Sequence, residues 1–234
     1  MPLYFKQLLA GRDFATANPI AAQMVNFSYL IGDTNTRECV VVDPAWDVAG
    51  LIDAAESDGM TLTGALVTHY HPDHIGGDLF GHSVEGLPQL LEKRGIHAHC
   101  NKEEAAGVRY MTGLSGSDVV LHEAGDALEI GAVKIELVHT PGHTPGSQCF
   151  LVDGRLVSGD TLFVQGCGRV DLPGGDSAEM YRTLTQRLAR LPASTVLYPG
   201  HHYGPTPTST FGELRVANYY LQPRSLEEWL GLMR

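Results

Sequence analysis

The stretch Thr68-His69-Tyr70-His71-Pro72-Asp73-His74 decides how this chain folds and where its chemistry lies. It follows directly on the short apolar segment 64–68, which we predict to be a strand. A loop at a strand end can aim several side chains at one point while the sheet holds the backbone. Imidazole and carboxylate groups together suit zinc, iron or manganese better than calcium or magnesium. The spacing therefore predicts a metal site, rather than a histidine-rich surface loop, with four ligands: His69, His71, Asp73 and His74.

Three further candidate ligands each follow a predicted strand and a glycine. They are His143 in Thr140-Pro-Gly-His143, Asp160 in Ser158-Gly-Asp160 and His201 in Tyr198-Pro-Gly-His201. Glycine permits the sharp backbone turn that presents the next side chain at a sheet edge. His202 competes with His201, and the Pro-Gly-His pattern favours His201. The remaining histidines lack this context and are predicted to be surface or core residues: His82, His97, His99, His122 and His139.

Charge and composition bound the class of protein. The 234 residues carry a formal net charge of -11, and Lys and Arg are scattered without a basic run. Such a surface repels phosphate backbones, so we predict no nucleic-acid partner. We find no signal peptide and no apolar run long enough to span a membrane. The four cysteines form no C-x-x-C pair, so we expect a cytoplasmic protein with free thiols, and a homo-oligomer stays open.

Short strand-like and helix-like segments alternate along the chain. Apolar runs predict strands at 27–31, 39–42, 64–68, 96–100, 133–138, 148–152, 155–158 and 195–198. Apolar residues at helical spacing predict helices at 48–57, 87–93 and 225–233, and another that begins at a capping box of Asp176 and Glu179 and ends at Pro192. Asp153-Gly154 predicts a two-residue hairpin turn, and 111–117 is predicted to be a loop.

The motif set H-x-H-x-D-H, T-P-G-H-T-P-G, G-D-T-L-F and P-G-H resembles the metallo-β-lactamase superfamily over nearly the whole chain. The resemblance implies an α/β protein with a four-layer αββα sandwich, one domain over 1–234 with a short helical tail at 208–234. It also implies two zinc ions with a hydroxide between them. The implied ligands are His69, His71 and His143 for one metal, Asp73, His74 and His201 for the second, and Asp160 as the bridge.

A second resemblance narrows the branch. Gly166-Cys-Gly-Arg169 is similar to a segment that glyoxalase II thioesterases share with persulfide dioxygenases, and both act on glutathione-linked sulfur. The chain stops soon after His201, where typical glyoxalase II enzymes continue into a helical domain. His143 lies 69 positions after His74, and we expect the intervening segment to be an insert at the rim of the groove.

The favoured interpretation is a hydrolase that uses a metal-bound hydroxide on a thioester of the hydroxyacylglutathione type, or on a related acyl group. Asp73 would orient the hydroxide and accept a proton. Arg169 would pair with a substrate carboxylate, and Tyr203 would hydrogen-bond the acyl or leaving group. An ion pair that merely holds its own loop is the alternative for Arg169. The expected partner is therefore a small thioester or another thiol-derived molecule.

The alternative interpretation is a mononuclear iron enzyme. Resemblance to persulfide dioxygenases implies one Fe(II) held by His69, His143 and Asp160, with glutathione persulfide as the substrate. Asp73, His74 and His201 would then support those ligands from outside. A lactonase and a scaffold without catalysis are less favoured, because the Cys-Gly-Arg segment points to sulfur and all seven candidate ligands are present.

Overall fold

Two six-stranded sheets form the centre of the computed structural model, which describes residues 2–233. In chain order the strands are β1 (Leu3–Leu9), β2 (Phe27–Asp33), β3 (Glu38–Val42), β4 (Thr61–Leu66), β5 (Gly77–Leu79), β6 (His82–Val84), β7 (Ala98–Asn101), β8 (Val119–His122), β9 (Ala127–Ile130), β10 (Val133–His139), β11 (Gln148–Val152), β12 (Arg155–Gly159), β13 (Val196–Pro199) and β14 (Ser209–Thr210). The first sheet has the order β1-β2-β3-β4-β7-β8 and the second β14-β13-β12-β11-β10-β9, while β5 and β6 form a separate hairpin.

Residues 2–233 also contain eight α-helices, of which six pack on the outer faces of the two sheets. The eight helices are α1 (Pro19–Met24), α2 (Val48–Glu56), α3 (Pro72–Ile75), α4 (Leu87–Arg94), α5 (Ala105–Thr112), α6 (Ser177–Arg182), α7 (Phe211–Ala217) and α8 (Leu226–Leu232). Helices α2, α4 and α5 contribute buried side chains to an apolar cluster on the first sheet. Helices α6, α7 and α8 do the same on the second sheet. Parallel neighbours such as β3 and β4 need connections of this kind, because a tight turn cannot join them.

Strand β3 shows why the sheets stack in four layers. Cys39 and Val41 point into the cluster under the helices, whereas Val40 and Val42 point into a second cluster between the sheets. Successive side chains of a strand alternate between its faces, so a run of apolar residues buries both. The order is therefore helices, sheet, sheet, helices, and the predicted αββα sandwich of the α/β class is confirmed.

The prediction that the segment between His74 and His143 is an insert at the rim of the groove is wrong. Apart from the small β5–β6 hairpin, this segment supplies β7 and β8 to the first sheet and β9 and β10 to the second, with α4 before β7 and α5 between β7 and β8. Its length is thus used to complete both sheets rather than to extend the rim. The spacing between two ligands carries no information about which sheet the intervening strands join.

Two local predictions also need correction. Residues 111–117 are not all loop, because α5 continues to Thr112. Gly107 lowers the helix propensity of this segment, which is why the helix was not predicted. Glycine is required there, since a larger side chain would overlap Tyr70. The segment after Asp176 is helical, but its α-helical part, α6, ends at Arg182. A π-helical turn (Thr183–Arg187) and a 3-10 turn (Leu188–Arg190) follow. Only half of the predicted capping box forms. The backbone N–H of Glu179 donates to the Asp176 side chain, but the backbone N–H of Asp176 donates to the Gly142 carbonyl.

Several other predictions hold. The Asp153-Gly154 turn has positive φ at both residues and joins β11 to β12. Helix α2 lies within two residues of the predicted bounds, and Ser225 caps α8. Strand β1 was not predicted, and it pairs with β2 along its whole length. The tail predicted at 208–234 contains β14, α7 and α8, while the domain limits themselves stay a prediction.

Replacing Trp229 by Ala tests whether the tail is part of the fold. The indole is fully buried, packs in the cluster on the second sheet and donates to the Ser177 carbonyl over 2.7 Å. We expect Trp229→Ala to lower the free energy of unfolding by about 3–5 kcal/mol in urea titrations, since large buried aromatics cost that much. Tyr219→Ala, at a residue 65% exposed, is the control and should change it by less than about 0.5 kcal/mol. Equal stability of the two variants would mean that the tail adds nothing.

Candidate metal centre

The seven predicted ligands come from both sheets and meet at the edge where the strands end. Four lie after β4 or in α3, one follows β10, one directly follows β12, and one follows β13: His69, His71, Asp73, His74, His143, Asp160 and His201. All are buried except His71, which is partly exposed at the surface, and Asp160, which is largely buried. The structure therefore brings together every side chain that the motifs singled out.

The first cluster consists of His69, His71 and His143. The Nε2 atom of His143 lies 3.0 Å from Nδ1 of His71, and His69 offers a nitrogen within 4.8 Å of both. The rings of His71 and His143 stand nearly perpendicular, at 84°. Three imidazole nitrogens thus converge on one point.

The second cluster consists of Asp73, His74 and His201. Oδ2 of Asp73 lies 3.4 Å from Nε2 of His74 and 3.3 Å from Nε2 of His201, and the two nitrogens are 3.2 Å apart. Zinc bonds of 2.0–2.1 Å in tetrahedral geometry place neighbouring ligand atoms about 3.3 Å apart. The donor atoms are therefore spaced for a small divalent cation.

Asp160 lies between the clusters and faces both. Its Oδ1 atom is 3.3 Å from Nε2 of His74 and 3.4 Å from Nε2 of His201. Its Oδ2 atom is 3.8 Å from Nε2 of His143, on the side of the first cluster. Each oxygen of one carboxylate can thus serve a different cluster, as a bridging ligand does.

Two buried polar atoms indicate that a cation fits here. Nε2 of His69 and Oδ1 of Asp160 are buried without a hydrogen-bond partner within the chain. Buried polar atoms are nearly always paired, because leaving one unpaired costs about 1–3 kcal/mol. A divalent cation would satisfy both atoms at once, and the imidazole and carboxylate donors match zinc or iron.

Hydrogen bonds on the far side of the imidazoles fix which nitrogen faces each cluster. The Nδ1 atoms of His143 and His201 lie 2.7 and 2.8 Å from the carbonyls of Arg169 and Met24. Both carbonyls can only accept, so Nδ1 carries a proton and Nε2 is the nitrogen that faces the cluster.

Asp43 performs this role for His74, and the motifs did not reveal it. Its Oδ2 atom lies 2.9 Å from Nδ1 of His74 and also accepts from the Thr68 hydroxyl, while Oδ1 accepts from the Thr68 N–H. Asp43 directly follows β3, which is parallel to β4. That position was the available signal, because the ends of adjacent parallel strands share one sheet edge.

Asn26 is a second residue that sequence reasoning missed. Its Nδ2 donates to Oδ2 of Asp73 over 3.0 Å, and its Oδ1 accepts from the indole of Trp46 over 3.0 Å. An indole can only donate, so the amide orientation is fixed and the amino group faces the second cluster. Asn26 therefore holds the Asp73 carboxylate against one side of that cluster.

The two clusters differ in charge. Burial lowers the pKa of His69 and His71, the latter to about 4, so the first cluster offers neutral lone pairs. Burial alone would also lower the pKa of His201, but Asp160 and Asp73 outweigh it and raise the pKa to about 10. The second cluster is thus a set of ion pairs whose protons a cation would displace.

The predicted substrate residues lie beside the clusters. Tyr203 is 43% exposed and stacks on His201, with ring centroids 4.7 Å apart and planes within 7°. Phe163 packs edge-on against Tyr203 at 5.0 Å. The exposed guanidinium of Arg169 pairs with Asp171 at 2.8 and 2.9 Å. The substrate roles of Tyr203 and Arg169 stay predictions.

The other histidines lie outside both clusters. His202 packs its ring on Phe27 at 5.5 Å, whereas the neighbouring His201 belongs to the second cluster, as the Pro-Gly-His pattern predicts. His99 and His122 stack on each other across β7 and β8, with ring nitrogens 2.9 Å apart. Within residues 2–233, neither His202 nor the His99–His122 pair belongs to a group of three possible metal ligands.

Replacing Asp43 by Asn tests the support that it gives to His74. The amide cannot accept from Thr68 and His74 with both of its ends, so His74 loses its fixed orientation. We expect Asp43→Asn to weaken metal binding at the second cluster by about 10- to 100-fold in competition titrations. Asp53→Asn, on the exposed side of α2, makes the same charge change and should leave the affinity unchanged. An unaltered affinity in Asp43→Asn would contradict this role.

Comparison with known proteins agrees with this geometry. A family model described as "Metallo-beta-lactamase superfamily" matches residues 23–201. The chain is 28% identical over 206 residues to "Probable polyketide biosynthesis zinc-dependent hydrolase BaeB" of Bacillus velezensis, covering 88% of this chain and 86% of that protein. It is 31% identical over 212 residues to "Persulfide dioxygenase ETHE1, mitochondrial" of Homo sapiens, covering 88% and 75%. It is 36% identical over 179 residues to "Hydroxyacylglutathione hydrolase" of Pseudomonas fluorescens, covering 76% and 62%.

These relatives fall in the branch that the Cys-Gly-Arg segment indicated, and the family model covers all seven candidate ligands. The match extends over most of the chain, from before β2 to the last predicted ligand. The chain therefore belongs to the metallo-beta-lactamase superfamily.

Proposed function

We propose that this protein is a metal-dependent hydrolase of thioesters or related acyl compounds, working with two zinc ions. The position of Asp160 carries the proposal, because its two oxygens face two separate three-residue clusters. Two cations held by these clusters would supply a hydroxide nucleophile near neutral pH.

Asp73 is the proposed catalytic residue of the chain. Burial would raise its pKa, but the neighbouring His74 and His201 outweigh burial and lower it, so the carboxylate is ionised at neutral pH. Asn26 fixes one of its oxygens in place. An ionised and fixed carboxylate can orient a nucleophilic water, accept its proton transiently and then release that proton to solvent.

The aromatic and cationic groups beside the clusters suit an acyl substrate with a thiol leaving group. Tyr203 and Phe163 form an apolar wall next to His201, and the Tyr203 hydroxyl is proposed to bind the acyl or leaving group. A substrate carboxylate would compete with Asp171 for Arg169, and the cost is small because both groups of this ion pair are exposed and screened by solvent. A thiolate leaves without a general acid, so none is required.

The relatives support a hydrolase of this size. The protein named as a zinc-dependent hydrolase matches over 86% of its own length, so the shared region is nearly all of that protein. The hydroxyacylglutathione hydrolase is matched over only 62% of its length, although the identity is higher there. We therefore infer a shared acyl-transfer chemistry and leave the identity of the thiol open.

An iron-dependent persulfide dioxygenase is the second candidate. The human protein named as a persulfide dioxygenase is 31% identical over 88% of this chain. His69, His143 and Asp160 would hold the single iron, and Asp73, His74 and His201 would form hydrogen bonds around it. A lactone substrate is a further option for the hydrolase, since the same nucleophile opens ring esters.

The proposed setting is the cytoplasm. Cys39, Cys100 and Cys149 are buried free thiols, and Cys167 is a half-buried one. Within residues 2–233, no helix is both long and apolar enough to cross a membrane. Cysteines that stay as free thiols, like these four, are typical of reducing compartments. We propose a small-molecule substrate and no nucleic-acid partner, in line with the net charge of -11.

Replacing Asp160 by Asn tests the hydrolase directly. The amide cannot bridge two cations with two anionic oxygens, so turnover of hydroxyacylglutathione thioesters should fall by at least about 100-fold. Asp53→Asn should keep the activity of the unaltered protein. Unchanged turnover in Asp160→Asn would contradict the bridging role. Oxygen uptake with glutathione persulfide, and no thioester cleavage by the unaltered protein, would favour the dioxygenase.

A further inference from the structure

Glu104 is a fully buried carboxylate that belongs to neither metal cluster. It lies between β7 and α5, and its side chain reaches under the edge where the ligands converge. Buried carboxylates are rare unless they are paired with a cation. The groups that donate hydrogen bonds to Glu104 are instead uncharged: two backbone N–H groups and one hydroxyl.

These donors belong to the two loops of the first cluster. Oε1 of Glu104 accepts from the backbone N–H of Tyr70 over 3.2 Å and from the Thr144 hydroxyl. Oε2 accepts from the backbone N–H of Gly146 over 3.1 Å. Tyr70 stands between His69 and His71, and Thr144 directly follows His143.

The two loops come from different sheets. The loop of Tyr70 follows β4 in the first sheet, and the loop of Thr144 follows β10 in the second. The packing at Gly146 is close, because a Cβ atom there would lie 2.5 Å from the backbone nitrogen of Glu104. One carboxylate therefore ties together the two backbones that carry the first-cluster histidines.

Ionisation of Glu104 is costly at this buried position. Burial raises the pKa of Glu104 to about 7, although its three hydrogen bonds act in the opposite direction. Ionising the group thus costs the metal-free fold free energy at neutral pH. What the carboxylate supplies is two oxygens that only accept, which neither a glutamine nor a protonated acid offers to three donors at once.

We propose that Glu104 is a positioning residue for the metal centre: it sets the spacing between the His69–His71 loop and the His143 loop. The role applies to a hydrolase and to a dioxygenase alike, since both would use His69 and His143. It therefore goes beyond the proposed reaction, and its test does not depend on knowing the substrate.

Glu104→Gln tests the proposal, with Glu103→Gln on the exposed neighbouring position as the matched control. The affinity for Zn²⁺ is measured by competition with a chelator near pH 8, about one unit above the pKa of Glu104. The visible spectrum of the Co²⁺-loaded protein reports the ligand geometry. Urea unfolding of the metal-free protein reports stability.

We expect Glu104→Gln to bind the first zinc ion about 10-fold or more weakly, with a changed Co²⁺ spectrum, and Glu103→Gln to match the unaltered protein. The metal-free Glu104→Gln protein is expected to be less stable, because its amide leaves the buried Gly146 N–H without an acceptor, so the affinity and the spectrum are the deciding readouts. A purely structural role predicts the lower stability with an unchanged affinity and spectrum. That result would overturn the proposal.

Thr144 provides a second test that keeps Glu104 in place, should Glu104→Gln fail to fold. Thr144→Val removes one donor to the carboxylate at nearly constant volume and should weaken the first zinc site by several-fold. Thr144→Ser restores the hydroxyl and should restore the affinity. Equal affinities for the valine and serine variants would overturn the proposal.

Discussion

The packing of the two sheets against each other is the constraint on which the metal centre depends. The ligands after β4 belong to the first sheet, whereas His143, Asp160 and His201 belong to the second. Ligand atoms from opposite sheets come within 3.0–3.3 Å of one another. The apolar cluster between the sheets, which includes Val40 and Phe150, therefore fixes distances that the chemistry requires. Since packed interiors resist compression, that cluster makes the site rigid without metal-specific contacts at every residue.

Around this frame the chain places polar groups that stabilise the site more than the fold. Asp43 holds His74, Asn26 holds Asp73, and Glu104 holds two loops. Each is buried, and each would be costly in a core without a metal. The buried atoms of His69 and Asp160 that lack a partner belong to the same pattern. Cation binding and folding are therefore coupled, since the cation satisfies groups that the folded chain brings together.

The sequence predicted the four layers and the side chains that meet at the sheet edge, because both follow from local patterns, while their role as metal ligands stays a prediction. A strand, a glycine and a ligand occupy neighbouring positions, and alternating apolar residues identify strands. The supporting residues were missed because their partners are distant in the chain: Asn26 is 47 positions from Asp73, and Glu104 is 40 positions from Thr144. The segment between His74 and His143 was misjudged for the same reason, since β7 pairs with β4, where Ala98 lies opposite Ala65, 33 positions earlier in the chain.

The central claim is that the chain holds two cations bridged by Asp160 and uses them for hydrolysis. Elemental analysis of the purified protein tests it most directly, because it gives the identity and number of metals per chain together. The account predicts about two zinc ions per chain, one for each cluster. About one iron per chain with little zinc would contradict it and make the persulfide dioxygenase the better description of this protein.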